Sequence, residues 1–304
     1  MTAKEGLIYH YCPSEAFLSI IEKNELWLTE VSKTNDSTEG KNFIENVKKF
    51  VETKKGRFHW IPRTGNYGMD VLDKYIKSVW ICCFSENSDQ LSQWCRYADD
   101  GKGFSIGFDK DILSDLPSNR NSISIANFKL LWPLSLNEIK YARSTKWADI
   151  TNFINWCNKN PENSGINGDA SKFFSDFKLV MAFMSFIYKD YSFMEEKEWR
   201  LICHMKGSKF DEVENFLNNY CKAKSTTSKP ELFSSNEVHF RSTPKGIVHY
   251  LKMRIPRNAI KHVLLGPKNL SDKEDIRMLL SKYKRVPEGM EVEDMVEKTK
   301  IPYC

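Results

Sequence analysis

Residues Val79-Trp80-Ile81-Cys82-Cys83-Phe84 form a continuous apolar run of strand length, closed by Ser85, and such a run is the mark of a strand buried within a sheet. A buried strand needs neighbours, and the chain supplies several short ones. Leu7 to Tyr11 reads as a strand. Pro13 and Ser14 then open a helix whose apolar residues Phe17, Ile20 and Ile21 share one face, Asn24 ends it, and Leu26 to Thr29 is a second strand. Phe104 to Phe108 has alternating character after a turn at Gly101 and Gly103; Glu198 to Met205, His249 to Ile255 and Ile260 to Leu265 are further strands. Phe128 to Trp132 and Glu138 to Tyr141 read as another strand pair.

Helical patterns lie between the strands at Asn42 to Glu52, near Val71 to Lys77, in SDQLSQWCRYADD and at Ser271 to Tyr283. The strongest is Trp147 to Tyr188, where Phe174, Phe177, Val180, Met181, Met184 and Ile187 recur at three- and four-residue steps, a spacing that core packing explains. The strands are short, the helices uneven, and no regular strand-helix alternation builds a doubly wound sheet, so the expected class is α+β. We read residues 1–304 as a single domain with a mainly helical insertion at about 147–190 and a polar loop at about 206–240. No G-x-G-x-x-G follows a strand and no G-x-x-x-x-G-K-[ST] occurs, so the Rossmann and P-loop readings lose their motifs.

Composition narrows the class further. Hydrophobic residues at 41% and charged residues at 28% are those of a soluble globular chain. The balance of 45 Lys+Arg against 40 Asp+Glu, a net +5, permits a polyanionic partner without demanding one. No apolar run approaches the ~20 residues that cross a bilayer, and MTAKEGLIYHYC lacks the apolar stretch of a signal peptide; a cytoplasmic location with no membrane partner is the expectation. The eight cysteines form no C-x-x-C pair and most lie in apolar runs, so reduced buried thiols are expected and no metal site.

Three polar groups interrupt apolar strands, where an unpaired polar side chain is costly to bury: His10 in LIYHYC, Ser85 after WICCF, and Glu196 with Glu198 in EEKEWRLI. In a strand, His10 faces the same way as Ile8, and Glu196, Glu198 and Arg200 share a face opposite Trp199 and Leu201. Singly, each has an ordinary use: a satisfied histidine, a strand-end cap, a solvated charge ladder.

Their order along the chain resembles a family. The runs YHYCPSEAFLSIIEKNELWLTEVSKTNDSTEG, CFSENSDQLSQWCRYADDGKGFSIGFD, EEKEWRLI and IKHVLLGP look like an uncharacterised bacterial family whose hallmarks are an aromatic first strand, an N-D-x-x-E turn, a C-F-S…W…Y-A…G-F-D block and an E-x-E-W-R strand. That family in turn resembles the ADP-ribosyltransferases. The resemblance implies a split sheet of short strands with flanking helices, NAD as co-substrate bound in a cleft between two small sheets, and transfer of ADP-ribose to a nucleophile through an oxocarbenium-like state.

What it implies for individual residues follows. Glu198 would stabilise the reacting carbon, and Glu196 would orient the acceptor or hold the ribose. His10 would bond a ribose hydroxyl, and Ser85 would position the nicotinamide ribose. Trp94 and Tyr97 would stack on a ring, or pack the short helix onto the sheet, the expected use of Trp94. Tyr9, Tyr11 and Tyr97 compete for the stacking role, and a one-residue slip of the first strand would turn Tyr9 or Tyr11 to the cleft and His10 to the core. Asn35, with Asp36 and Glu39, would stand at the cleft mouth or make its turn. Arg200 would approach a phosphate or pair with Glu198.

The acceptor is the least determined part. KKGRFHWIPRTGNYG and FKLLWPLSLNEIKYARSTKW combine basic and aromatic residues, the recipe for gripping single-stranded nucleic acid. The resemblance extends to bacterial toxins of phage-defence and toxin-antitoxin systems, with RNA or DNA as acceptor and an antitoxin protein as partner. A protein acceptor, a NAD glycohydrolase and a non-catalytic nucleic-acid-binding module are the alternatives.

Overall fold

The computed structural model describes residues 5–33, 79–116, 134–142, 185–204, 233–234, 237–243 and 246–303, with the backbone of 123–125 and 128–130. The expectations at Asn35, Asp36 and Glu39, the helices at 42–52 and 71–77, the basic loop at 54–68, and most of the 147–190 insertion and the 206–240 loop lie outside the described residues.

In chain order the elements are β1 (Leu7–Cys12), α1 (Ser14–Lys23), β2 (Glu25–Glu30), β3 (Val79–Ser85), α2 (Leu91–Tyr97), β4 (Phe104–Asp109), α3 (Lys110–Ser114), β5 (Ile123–Ile125), β6 (Phe128–Leu130), β7 (Leu134–Glu138) and β8 (Lys140–Ala142). They continue as β9 (Tyr188–Asp190), β10 (Glu198–His204), β11 (His239–Thr243), β12 (Gly246–Arg254), β13 (Ile260–Leu265), α4 (Lys273–Lys282), α5 (Val292–Met295) and β14 (Val296–Lys298). The class is α+β. Ten of the described strands join one mixed sheet, and β5–β6 and β8–β9 stand apart as two-stranded pairs.

Strand β3 organises the sheet. One of its edges pairs antiparallel with β10 along the whole length, from Glu198 opposite Ser85 to His204 opposite Val79, and β7 adds to the outer edge of β10. The other edge is shared. Glu30 and Thr29 of β2 meet Trp80 and Ile81, whereas Tyr9 of β1 meets Ser85. The sheet therefore forks beside β3, one arm running β2–β12–β11 and the other β1–β4–β13–β14.

Local sequence explains the pieces around the fork. Phe17, Ile20 and Ile21 bury the inner face of α1, Phe17 stacks on Phe104 at 3.9 Å, and Asn24 ends the helix in the left-handed region at φ 61°. The short Asn side chain tolerates that conformation. The main core lies on one face of the sheet, with Ile8, Cys12, Trp80, Cys82, Phe84, Leu201 and Cys203. A second cluster of Tyr9, Tyr11, Trp94, Ala98 and Leu264 covers the other face of the β1 arm.

Three expectations are corrected here. Phe104 to Phe108 does not alternate between core and solvent; it is buried on both faces because β4 lies between β1 and β13 with apolar layers above and below. Gly107 belongs to that packing, since a Cβ there would come within 2.8 Å of the Tyr9 ring and 3.0 Å of the His262 Cβ. Among the described residues, 128–130 and 138–141 are not paired with each other: β6 pairs with β5, and β8 with β9. Tyr188 is in a strand rather than at the end of a helix, because its backbone bonds run to β8.

His204, at the end of β10, is buried beside the Phe186 ring, and burial lowers its pKa from 6.5 to about 4. A depressed histidine contributes stability that is fully present above pH 6.5 and lost as the pH falls to about 4. The shift corresponds to ~3 kcal/mol at about 1.4 kcal/mol per unit. Urea unfolding of a His204→Leu variant is expected to show a shallower fall in midpoint between pH 6.5 and 4 than the native chain.

Candidate functional site

The strand β10 opens on an unusual step. Tyr191–Glu196 is a 3-10 turn, Lys197 takes the left-handed conformation at φ 40°, and Glu198 starts the strand. Glu196 thus does not share a strand face with Glu198, as alternation suggested, because the chain turns between them. Both carboxylates nevertheless meet in one buried network.

Lys189, from β9, bridges them: its Nζ donates to Glu196 Oε2 at 2.7 Å and to Glu198 Oε2 at 3.0 Å. Arg200 grips Glu198 in two-pronged fashion, Nε to Oε1 at 2.6 Å and Nη2 to Oε2 at 2.9 Å, while its Nη1 donates to the Phe186 carbonyl at 3.0 Å. The side chains of Lys189, Glu196, Glu198 and Arg200 are all about 5–7% exposed. Arg96 reaches Glu196 Oε1 at 3.2 Å from the rim, where it is half exposed and the pair is worth little. Burial works to raise the Glu198 pKa, but the Arg200 charge and hydrogen bonds and the Lys189 ammonium outweigh it and bring the carboxyl down to about 2.

Across the sheet the neighbours of Glu198 fall in a row. Glu198 stands opposite Ser85, and Ser85 opposite Tyr9, so these three side chains lie on one face of three adjacent strands. Ser85 is 2% exposed and its hydroxyl donates to the Glu196 carbonyl at 2.6 Å, accepting in turn from the Asn87 amide at 3.0 Å. It therefore ties the turn before β10 to the turn after β3.

Cys83 departs from the burial expected of the VWICCF run. Its side chain is reached by solvent, yet protein packs around it closely enough that burial, followed by the Glu198 charge, pushes its thiol well above the ordinary range. Tyr97, partly exposed at the end of α2, belongs to the same neighbourhood: burial and then the Glu196 charge push its hydroxyl up to about 12, with Lys189, Cys83 and Glu198 also acting on it.

His10 lies on the opposite face, with Ile8 and Cys12. Its Nδ1 is 2.9 Å from the Cys83 carbonyl and 3.7 Å from the Cys82 thiol, and its ring lies 5.7 Å from that of Phe84. A carbonyl only accepts, so Nδ1 carries the proton. The histidine answers a need of the fork: Cys83 lies where the shared edge of β3 passes from β2 to β1, and the imidazole serves its carbonyl. Burial lowers the His10 pKa. Ser85 and Glu198 are thus brought together, and His10 is not brought with them, because a strand alternates faces. An His10→Ala variant is expected to lose about 0.5–1.5 kcal/mol, the net worth of one hydrogen bond at a site that water can reach, with His10→Asn recovering part of the loss in urea unfolding.

The other aromatic expectations divide. Trp94 is fully buried and donates Nε1 to Asp89 at 2.8 Å, so it packs α2 on the sheet and does not face a ligand. Tyr11 donates to the Asn87 carbonyl at 2.8 Å and accepts from the Gln90 amide at 3.1 Å, clamping the loop before α2. Tyr9 is fully buried, edge-on to His262 at 5.9 Å. Arg200 pairs with Glu198 inside the protein.

Sequence reading did not foresee Lys189, Cys83 or Tyr141, whose hydroxyl accepts from the Glu198 amide at 2.7 Å. The only signal for Lys189 is arithmetic: two buried carboxylates need more positive charge than Arg200 supplies. Among the described residues no group of three or more His, Cys, Asp or Glu is placed to hold a metal ion, and no helix is long and apolar enough to cross a membrane.

No curated protein and no solved structure matches the chain. Residues 93–201, which include Trp94, Tyr97, the G-F-D strand end, Lys189 and the whole Glu196-to-Arg200 motif, match the family model described as "Protein of unknown function (DUF2971)".

Proposed function

We propose that this chain is an NAD-dependent ADP-ribosyltransferase acting on a macromolecular acceptor, single-stranded nucleic acid before protein, with its chemistry at Glu198 beside Tyr97 and Cys83. The observation that carries the reading is the row Glu198–Ser85–Tyr9 across three adjacent strands, beside the exposed Cys83. It supports a carboxylate held ionised on the face of the sheet that also carries Ser85 and Tyr9. The fork between β1 and β2, on the edge of β3 opposite β10, supports a split sheet of the ADP-ribosyltransferase kind.

In the reaction, the bond from the nicotinamide nitrogen to ribose C1′ breaks and nicotinamide leaves with the electron pair. The acceptor oxygen or nitrogen then bonds C1′ and loses its proton to Glu198 or to water. Glu198 faces the positive charge that develops at C1′. Tyr97, whose hydroxyl feels the Glu196 and Glu198 charges, takes the stacking role first expected of several tyrosines. A nucleic-acid acceptor rests on the basic, aromatic composition of residues 54–68 and 128–147.

The complete pairing of Glu198 with Arg200 and Lys189 favours a second reading, a non-catalytic module whose ion network is purely structural. Labelled NAD separates the two. Free nicotinamide with label on RNA, DNA or protein supports transfer and names the acceptor; nicotinamide with free ADP-ribose supports a glycohydrolase; intact NAD under all conditions supports the module and overturns the enzymatic reading.

A further inference from the structure

Every oxygen of Glu198 is engaged: Oε1 by Arg200 Nε, and Oε2 by both Arg200 Nη2 and Lys189 Nζ. The two cations are held differently. Arg200 is on the same strand as Glu198, and its third nitrogen is fixed by the Phe186 carbonyl. Lys189 comes from β9, a three-residue strand paired with the equally short β8 outside the main sheet, and a two-stranded pair of that length is marginal alone. Its flexible stem carries a compact ammonium that changes partners without backbone movement.

The segment that follows Lys189 is a strap. Asp190, Tyr191, Ser192, Met194 and Glu195 are exposed, and Lys189 at the head of the strap is tied to Glu198 Oε2 at the start of β10. The Phe193 ring lies 4.7 Å from the ammonium and helps to hold it. We propose that residues 189–196 form a latch over Glu198: the Lys189 ammonium holds the strap closed, and a substrate reaches the Glu198 carboxylate only after Lys189 withdraws from Oε2. Glu196 keeps the departing ammonium paired, so opening does not strand a buried charge. The latch rests on the reading of Glu198 as the carboxylate that faces substrate, but its mechanical part is testable without turnover.

Amide hydrogen exchange on the full chain reads the strap directly. In Lys189→Met, protection of residues 189–196 and of the Glu198 amide, which is bonded to Tyr141 on β8, is expected to fall about tenfold relative to Leu201–Cys203 within the sheet. Lys189→Arg, which keeps a cation, is expected to stay within about twofold of the native chain. If Lys189→Met lowers stability too far, the Lys189→Met/Glu196→Gln double variant removes one carboxylate charge along with the ammonium and is measured instead. Unchanged protection in the folded variant overturns the latch whatever the activity. With NAD added, lowered protection of 189–196 in the native chain supports displacement by substrate, and NAD binding with unchanged or higher protection overturns it. If NAD does not bind, the proposed function falls and the variants alone decide the latch.

Discussion

Replacing Arg200 by leucine is expected to lower the unfolding free energy at pH 7 by about 3–5 kcal/mol, the scale seen when one member of a buried ion pair is removed. The argument is one of leftovers. Leucine fills part of the volume, but Glu198 would keep only Lys189 for two ionised oxygens, and the Phe186 carbonyl would lose its donor. Neither deficit is solvated, because the network side chains are about 5–7% exposed. Arg200→Lys is expected to recover only part of the loss, since an ammonium cannot span Oε1, Oε2 and the carbonyl at once.

The pH dependence supplies a check on the cause. Glu198 has its folded pKa depressed from 4.5 to about 2, so its contribution is complete above pH 4.5 and is lost as the pH falls to about 2. The gap between native and Arg200→Leu chains should narrow over that window, because a protonated Glu198 no longer needs the guanidinium. Guanidinium chloride midpoints at pH 7, 4 and 3 measure it. A loss below about 1 kcal/mol at pH 7 would mean that the pair is as solvated as a surface bridge, contrary to its burial here.

How much of this site was legible in the sequence depends on which distance scale decides each feature. Periodicity of two correctly put His10 on the face of Ile8, and periodicity near 3.6 found α1 with Phe17, Ile20 and Ile21 buried. Breaks in apolar runs found Ser85 and Glu198. What alternation does not say is what each face meets. His10 faces the side of Ile8 and Cys12, where α1 packs, and Trp94 is swallowed because α2 lies flat on Tyr11. The turn at Lys197 was hidden because a lysine carries no signal for the left-handed conformation, and that turn alone decides how Glu196 approaches Glu198. Lys189 and Tyr141 come from strands whose pairing is tertiary, so no local pattern marks them. The fork at β3 is likewise a matter of which strand wins each half of an edge.

For the proposed reaction, Glu198→Gln is expected to lower kcat by about 100-fold or more, because it removes the negative charge aimed at the developing cation while leaving a side chain of the same shape. The network adds a complication that sequence alone did not show. A glutamine between Arg200 and Lys189 keeps one acceptor oxygen but turns an NH2 group towards a cation, so the variant should also lose stability, by about 1–3 kcal/mol. The two effects separate if kcat is taken at a temperature well below the variant's Tm, with the folded fraction measured by circular dichroism. A charge used only in the transition state predicts that kcat falls while KM stays near the native value, whereas a merely loosened network would raise KM first. Glu196→Gln serves as the internal control, since it touches the same lysine but lies beyond the turn at Lys197. It should cost less activity than Glu198→Gln. Should Glu198→Gln turn over NAD at the native rate, the carboxylate is a structural partner of Arg200 and nothing more, and the chemistry must be sought elsewhere on the fold.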